Sequence, residues 1–209
     1  MIDLEKQKER FKNHIATFTD YGNIKILDFK KPNSSEYRIR FLFEEDYYKL
    51  HITGDLGDLI SSNYYNMTFE KFARDYVDNT GYFEEKIDCH SRDIYYYDFD
   101  LAIDQLREYI EENCLEDDIA DYYYPHGYDD EVVENLVIEF VDEVMEHFTD
   151  TYGIGVSGYD VLSKVDEDCF YNCSDIGKQP TGILDLYMLA FKLAMEQLES
   201  RGTIKWINI

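Results

Sequence analysis

Residues 108–163 hold no lysine or arginine, yet 17 of the chain's 45 carboxylates fall among them. That absence excludes the Glu–Lys pairs, four residues apart, that usually stabilise exposed helices. A net charge of −25 speaks against direct binding to nucleic acid, whose phosphates are gripped by basic side chains. No apolar run approaches the ~20 residues that cross a bilayer. The opening "MIDLEKQKER" has acidic residues and no apolar segment after it, unlike a secretory signal, so a cytosolic protein without membrane contact is expected. The four cysteines, Cys89, Cys114, Cys169 and Cys173, lack a disulfide-framework spacing. "CFYNC" has no second Cys or His pair nearby and makes a poor zinc half-site. Internal repeats and low-complexity linkers are also missing. What the chain does have is 16 % aromatic residues, 20 of them tyrosine, within 44 % apolar content, enough to build a core despite the charge.

Periodicity predicts an opening helix over 3–17, then three strands in "NIKILDFK", "EYRIRFLFE" and "DYYKLHIT", with connections short enough for antiparallel hairpins. "TGDLGD" reads as a turn in which Gly54 and Gly57 take positive φ. Thr68 caps a helix whose Phe69, Phe72, Ala73 and Tyr76 share a face. "YFEEKIDC" and "RDIYYYD" read as extended segments. A helix follows over 100–113, with Leu101, Ile103, Leu106 and Ile110 as its buried stripe. A further helix over 130–148 has Val133, Val137, Phe140, Val144 and Phe148 on one side. "TGILDLYMLAFKLAMEQLESRG" predicts a strongly apolar helix closed by Gly202. The expected class is α+β: an antiparallel sheet of three to five strands packed with helices, plus a helical C-terminal half. The division expected is 1–113 and 114–209, joined as one compact unit.

The acidic helices suggest a function. Carboxylates three or four positions apart lie about 5–6 Å from one another, so a lysine-free helix can imitate a ladder of phosphates and attract a protein that normally holds nucleic acid. The alternative is a solvated face serving solubility alone, but such faces usually mix both signs. Consecutive tyrosines, Tyr95–Tyr97 and Tyr122–Tyr124, with Tyr47, Tyr48, Tyr64 and Tyr65, cannot all face a core, and exposed tyrosine is a favoured interface anchor. Tyr37, Tyr76 and Tyr187 read as core residues. The candidate partner-binding residues are therefore Glu111, Glu112, Glu116, Asp117, Asp118, Asp121, Asp129, Asp130, Glu134, Asp142, Glu143 and Glu146, with Tyr122, Tyr123 and Tyr124. No cofactor, metal or catalytic residue is expected under this reading. A competing enzymatic reading takes Asp58, Glu84 and Lys86 as a magnesium-dependent nuclease or hydrolase site, two carboxylates holding the ion and the lysine positioning water.

The segments "HITGDLGDLI", "MTFEKFARDYV", "GYFEEKIDCHSRDIYYYD" and "YMLAFKLAMEQL" resemble a group of small phage and prophage proteins of Gram-positive bacteria, over roughly half of the chain. The resemblance leaves out 108–160 and implies a setting, not an activity: a phage accessory protein within the bacterial cytoplasm, where very acidic proteins often antagonise host defence, anti-CRISPR proteins among them. The expected partner is thus a basic nucleic-acid-binding protein of the host, a Cas9-type nuclease foremost, whose DNA binding would be blocked. An acidic structural protein of the virion is the remaining alternative.

Overall fold

In the computed structural model, which describes residues 3–204, the alternating runs of the first half pair with their neighbours in sequence. Strands β1 (Ile15–Asp20), β2 (Ile24–Lys30), β3 (Ile39–Glu44), β4 (Lys49–Gly54), β5 (Leu59–Ser62) and β6 (Ile87–His90) form an antiparallel sheet in chain order. Cross-strand pairs such as Leu27 with Phe41, and Phe41 with Ile52, hold Leu27, Phe29, Ile39, Phe41, Phe43, Leu50 and Ile52 on one buried face, because side chains alternate along a strand. Gly54 ends β4 at a φ of 152°, where a Cβ would lie 1.9 Å from the Arg38 carbonyl oxygen, so only glycine fits.

Helices α1 (Leu4–Phe11), α2 (Phe69–Asp75) and α3 (Thr80–Glu84) join this sheet in one core. So does the late apolar helix Ile183–Ser200, which packs on β1 and β2 and against α1 and α3. Its Phe191 meets the rings of Phe41, Phe43 and Phe72 edge to face and that of Phe69 at a tilt, at centroid distances of 5.2, 6.4, 5.0 and 5.7 Å, a cluster that adds to the burial itself. Thr68 caps α2 as predicted, its hydroxyl accepting from the Lys71 N–H at 3.4 Å.

A second unit, Tyr95–Pro180, is inserted between Ile94 and Thr181. Its two ends pair with each other, β7 (Tyr95–Tyr97) running antiparallel to β8 (Lys178–Pro180). Between them lie α4 (Phe99–Glu112), α5 (Glu116–Tyr123), a 3-10 turn (Asp130–Val132), α6 (Val133–Met145), α7 (Val156–Leu162) and α8 (Cys169–Asn172); the late helix of the first unit is therefore α9. Asp98 caps α4 by accepting from the Leu101 N–H at 2.9 Å. Ala102, Leu106 and Ile110 of α4, Ile119 and Ala120 of α5, and Leu136, Phe140, Val141 and Val144 of α6 form a separate apolar core. Gly158 lets α7 close on α6, since a Cβ there would meet the Val144 carbonyl oxygen at 2.3 Å. Among the described residues no helix is long and apolar enough to cross a membrane.

The α+β class is the observed one, with six strands in the main sheet and helices α4 to α9 filling the second half. Several boundaries differ. The opening helix stops at Phe11 because Ile15–Asp20, rich in β-branched residues, pairs along its whole length with Lys25–Lys30 of β2. The start of "YFEEKIDC" is helical, since Asn79 caps it by accepting from the Tyr82 N–H at 3.1 Å. The strand β5 lies unpredicted after the double-glycine turn, whose Gly54 and Gly57 do have positive φ. The division also falls elsewhere: a cut at 113/114 would separate α4 from the core it shares with α6, and α9 belongs with the sheet. Amphipathicity shows that a helix buries a face but not which distant element covers it.

Candidate functional site

The inserted unit concentrates the charge. It contains 24 of the 45 acidic residues and three bases, Arg107, Lys164 and Lys178, for a net −21; the rest of the chain has 21 acids against 17 bases, a net −4. Among the described residues, the ion pairs that involve a carboxylate of this unit reduce to Lys178 with Asp175, at 2.7 Å. The first unit pairs its charges repeatedly, as in Lys25 with Glu70 at 2.6 Å and Arg40 with Asp28 at 2.8 Å.

Helices α4, α5 and α6 present the candidate carboxylates. On α4, Glu111 and Glu112 are exposed; on α5, Asp117, Asp118 and Asp121 are exposed and Glu116 half-buried; on α6, Glu134 and Asp142 are exposed, as is Glu146 at its C-terminal end. Glu116, Asp117 and Asp118 occupy the first turn of α5, where the unpaired N–H groups and the helix dipole favour anions. Asp129 is exposed and bonds the Glu131 N–H at 3.2 Å. Only the backbone of Asp130 lies among the described residues. Glu111, Glu112, Glu116, Asp118, Asp121, Glu134, Asp142 and Glu146 make no side-chain hydrogen bond or ion pair among the described residues.

Tyrosine takes the role that lysine and arginine would have. The Tyr123 hydroxyl on α5 donates to Glu143 of α6 at 2.8 Å, with Tyr122 at 3.5 Å from the same carboxylate. Tyr128 donates to Asp117 at 3.1 Å, and Tyr109 of α4 donates to Asp166. Burial first, and then the neighbouring carboxylate, pushes the Tyr109 and Tyr123 phenols above their ordinary range, which keeps them protonated donors. The structure thus uses Tyr123 and Glu143 inside the unit, to lock α5 against α6, rather than leaving both for a partner. Tyr122 is 37 % exposed and Tyr124 51 %. The tyrosines that stand furthest into solvent lie mostly in loops of the sheet unit: Tyr21, Tyr47, Tyr64 and Tyr65. Tyr76 and Tyr187 are core residues, as read from sequence, and Tyr37 is partly buried.

The buried stripe of α6 is rotated from the predicted one. Leu136, Phe140, Val141, Val144 and Met145 face the core, leaving Val133 and Val137 half-buried and Ile138 exposed. These three line a cleft of about 440 Å³ between α4, α5 and α6, together with Arg107, Ile110, Glu111, Glu116 and Glu134. Three of the candidate carboxylates, one from each helix, are thereby brought around a single opening. Sequence periodicity missed this because both i,i+3 and i,i+4 stripes along α6 are apolar, and only the positions of α4 and α5 choose between them.

The enzymatic trio is not assembled. Asp58 precedes β5, its N–H bonded to the Ser91 hydroxyl, whereas Lys86 sits at the other end of the same strand pair, its carbonyl accepting from the Ser62 N–H. A strand of four residues, ~13 Å, lies between them. Glu84 closes α3 instead of lying on a strand, and the Lys86 ammonium pairs with Glu85 and lies 4.5 Å from the centre of the Tyr82 ring. No family model, curated protein or solved structure matches the chain, so the functional reading rests on the residues themselves.

Proposed function

We propose that the inserted unit is a nucleic-acid-mimicking docking module, through which a phage-encoded protein occupies the basic groove of a bacterial nucleic-acid-binding defence effector and blocks DNA binding. A Cas9-type nuclease, which holds its heteroduplex in a positive channel, is the favoured target. One observation carries this reading: the carboxylates of α4, α5 and α6, apart from the half-buried Glu116 and Glu143, are exposed, and none of them is neutralised by an ion pair among the described residues, with −21 of the −25 charges on 86 consecutive residues. Along a helix, carboxylates four positions apart advance ~6 Å, comparable to the spacing of phosphates on a strand. The field of such an array speeds association with a cationic groove and weakens with salt.

The test is a DNA-binding and cleavage assay with purified effector and guide RNA. Reversing Asp117, Asp118 and Asp121 to lysine should raise the concentration needed for half-inhibition by about 100-fold if each charge contributes near 1 kcal/mol. Unchanged inhibition by the folded triple variant would remove the mimic. Self-association in sedimentation, without affinity for any basic groove, would favour an assembly role instead.

A further inference from the structure

The cleft between α4, α5 and α6 has a feature that charge mimicry does not use. Its floor is apolar: Ile110 is buried, Val133 and Val137 are half-buried, and Ile138 remains 42 % exposed. Glu111, Glu116 and Glu134 stand around that floor together with Arg107, which makes no ion pair with any of them among the described residues, so the rim has three carboxylates to one base. A purely phosphate-like surface would be polar throughout, whereas an apolar trough between carboxylates matches a ligand that is apolar in the middle and cationic at the edges. Nucleic acid and anionic small molecules have the opposite character. At about 440 Å³ the cleft is of a size that seats side chains instead of a single methyl group.

We infer that this cleft seats the apolar ridge of a basic amphipathic helix on the partner protein, with the partner's flanking lysines or arginines meeting Glu111, Glu116 and Glu134. Helix-in-groove recognition works this way: residues at i, i+3, i+4 and i+7 fill the groove, and the rim charges set orientation and partner choice. The inference rests on the docking reading given above and adds the place and chemistry of the anchor. It also divides the work, since the dispersed carboxylates govern the rate of encounter and the cleft governs how long the complex lasts.

The probe is a pair of synthetic peptides of equal charge, one with leucine at i, i+3, i+4 and i+7 and lysine elsewhere, the other with serine replacing each leucine. Binding to the full chain is measured by calorimetry in 0.15 M salt. The leucine peptide should bind at least about tenfold more tightly, as burial of even one large apolar side chain provides that factor. Ile138→Ser, which changes no charge and alters an exposed position, should remove most of the preference. Val156→Ser, on the 80 % exposed Val156 of α7, should leave it intact. A preference that survives Ile138→Ser, or equal binding of the two peptides, overturns the anchoring cleft while the docking reading stands. Failure of both peptides to bind, in low salt as well, overturns the docking reading itself.

Discussion

The two units of this chain satisfy their carboxylates by different means. In the sheet unit, acids meet bases: Lys25 bridges Glu45 and Glu70, Arg40 holds Asp28 through two hydrogen bonds, and Lys192 reaches Asp78. In the helical unit, phenols donate instead, Tyr109 to Asp166, Tyr123 to Glu143 and Tyr128 to Asp117. An ion pair cancels the field that its carboxylate projects. A hydroxyl satisfies the same acceptor and leaves the charge in place. Tyrosine therefore ties the helices together without reducing the negative potential on which the proposed docking depends. The consequence is self-repulsion, which packing around Phe140 and its neighbours, the tyrosine hydrogen bonds and dissolved salt oppose.

The largest expected effect comes from separating the units. The Thr181 N–H donates to the Ile94 carbonyl at 2.9 Å, so a two-residue glycine linker can replace Tyr95–Pro180. The remaining sheet unit should unfold cooperatively in calorimetry, carry a net charge of −4 in place of −25, and lose inhibition altogether. Loss of its cooperative transition would mean that the sheet core needs the inserted unit, and the comparison would then fail.

Salt should come next. Between 10 mM and 500 mM sodium chloride, the melting temperature of the helical unit should rise by about 5 °C, as screening relieves repulsion equivalent to about 1 kcal/mol. The sheet unit should move less. Equal shifts for both would show that the unpaired carboxylates contribute no net strain.

Single substitutions sharpen the contrast. Tyr123→Phe leaves Glu143 without its nearer donor and should cost about 1.5 kcal/mol in chemical denaturation, as expected for a hydrogen bond to a charged group. In the sheet unit, Lys12→Met removes an exposed pair with Glu9, 3.0 Å long, and should cost less than about 0.5 kcal/mol. The Tyr123 phenol is raised above its unfolded value near 10, so its contribution is complete below about pH 10 and disappears as pH rises further. The stability gap between Tyr123→Phe and the parent protein should therefore stay constant from pH 7 to 9 and narrow at higher pH.

The strands of the sheet were legible where the alternation was clean, in β2, β3 and β4, and so were the caps at Thr68 and the strongly periodic helices. β1 was not, because Ile15 also continues the helical spacing of Leu4 and Phe11, and local pattern cannot weigh a helix turn against pairing with β2. Of the candidate site, the exposure of Asp117, Asp118, Asp121 and Asp142 was legible from charge alone. The inward use of Tyr123 and Glu143 was not, since tyrosine suits a core, an interface or a hydrogen bond equally well.

By itself the sequence determined the α+β class, a core rich in aromatic rings, and an acidic stretch that must lie in water, because lysine-free carboxylates are too costly to bury. The tertiary structure alone decided that this stretch is a separate insertion whose ends meet at β7 and β8, and that α9 returns to complete the sheet core. It also decided that α6 turns Val133, Val137 and Ile138 toward a cleft with three carboxylates around it. Those outcomes depend on contacts between residues far apart in the chain, and periodicity, being local, contains no record of them.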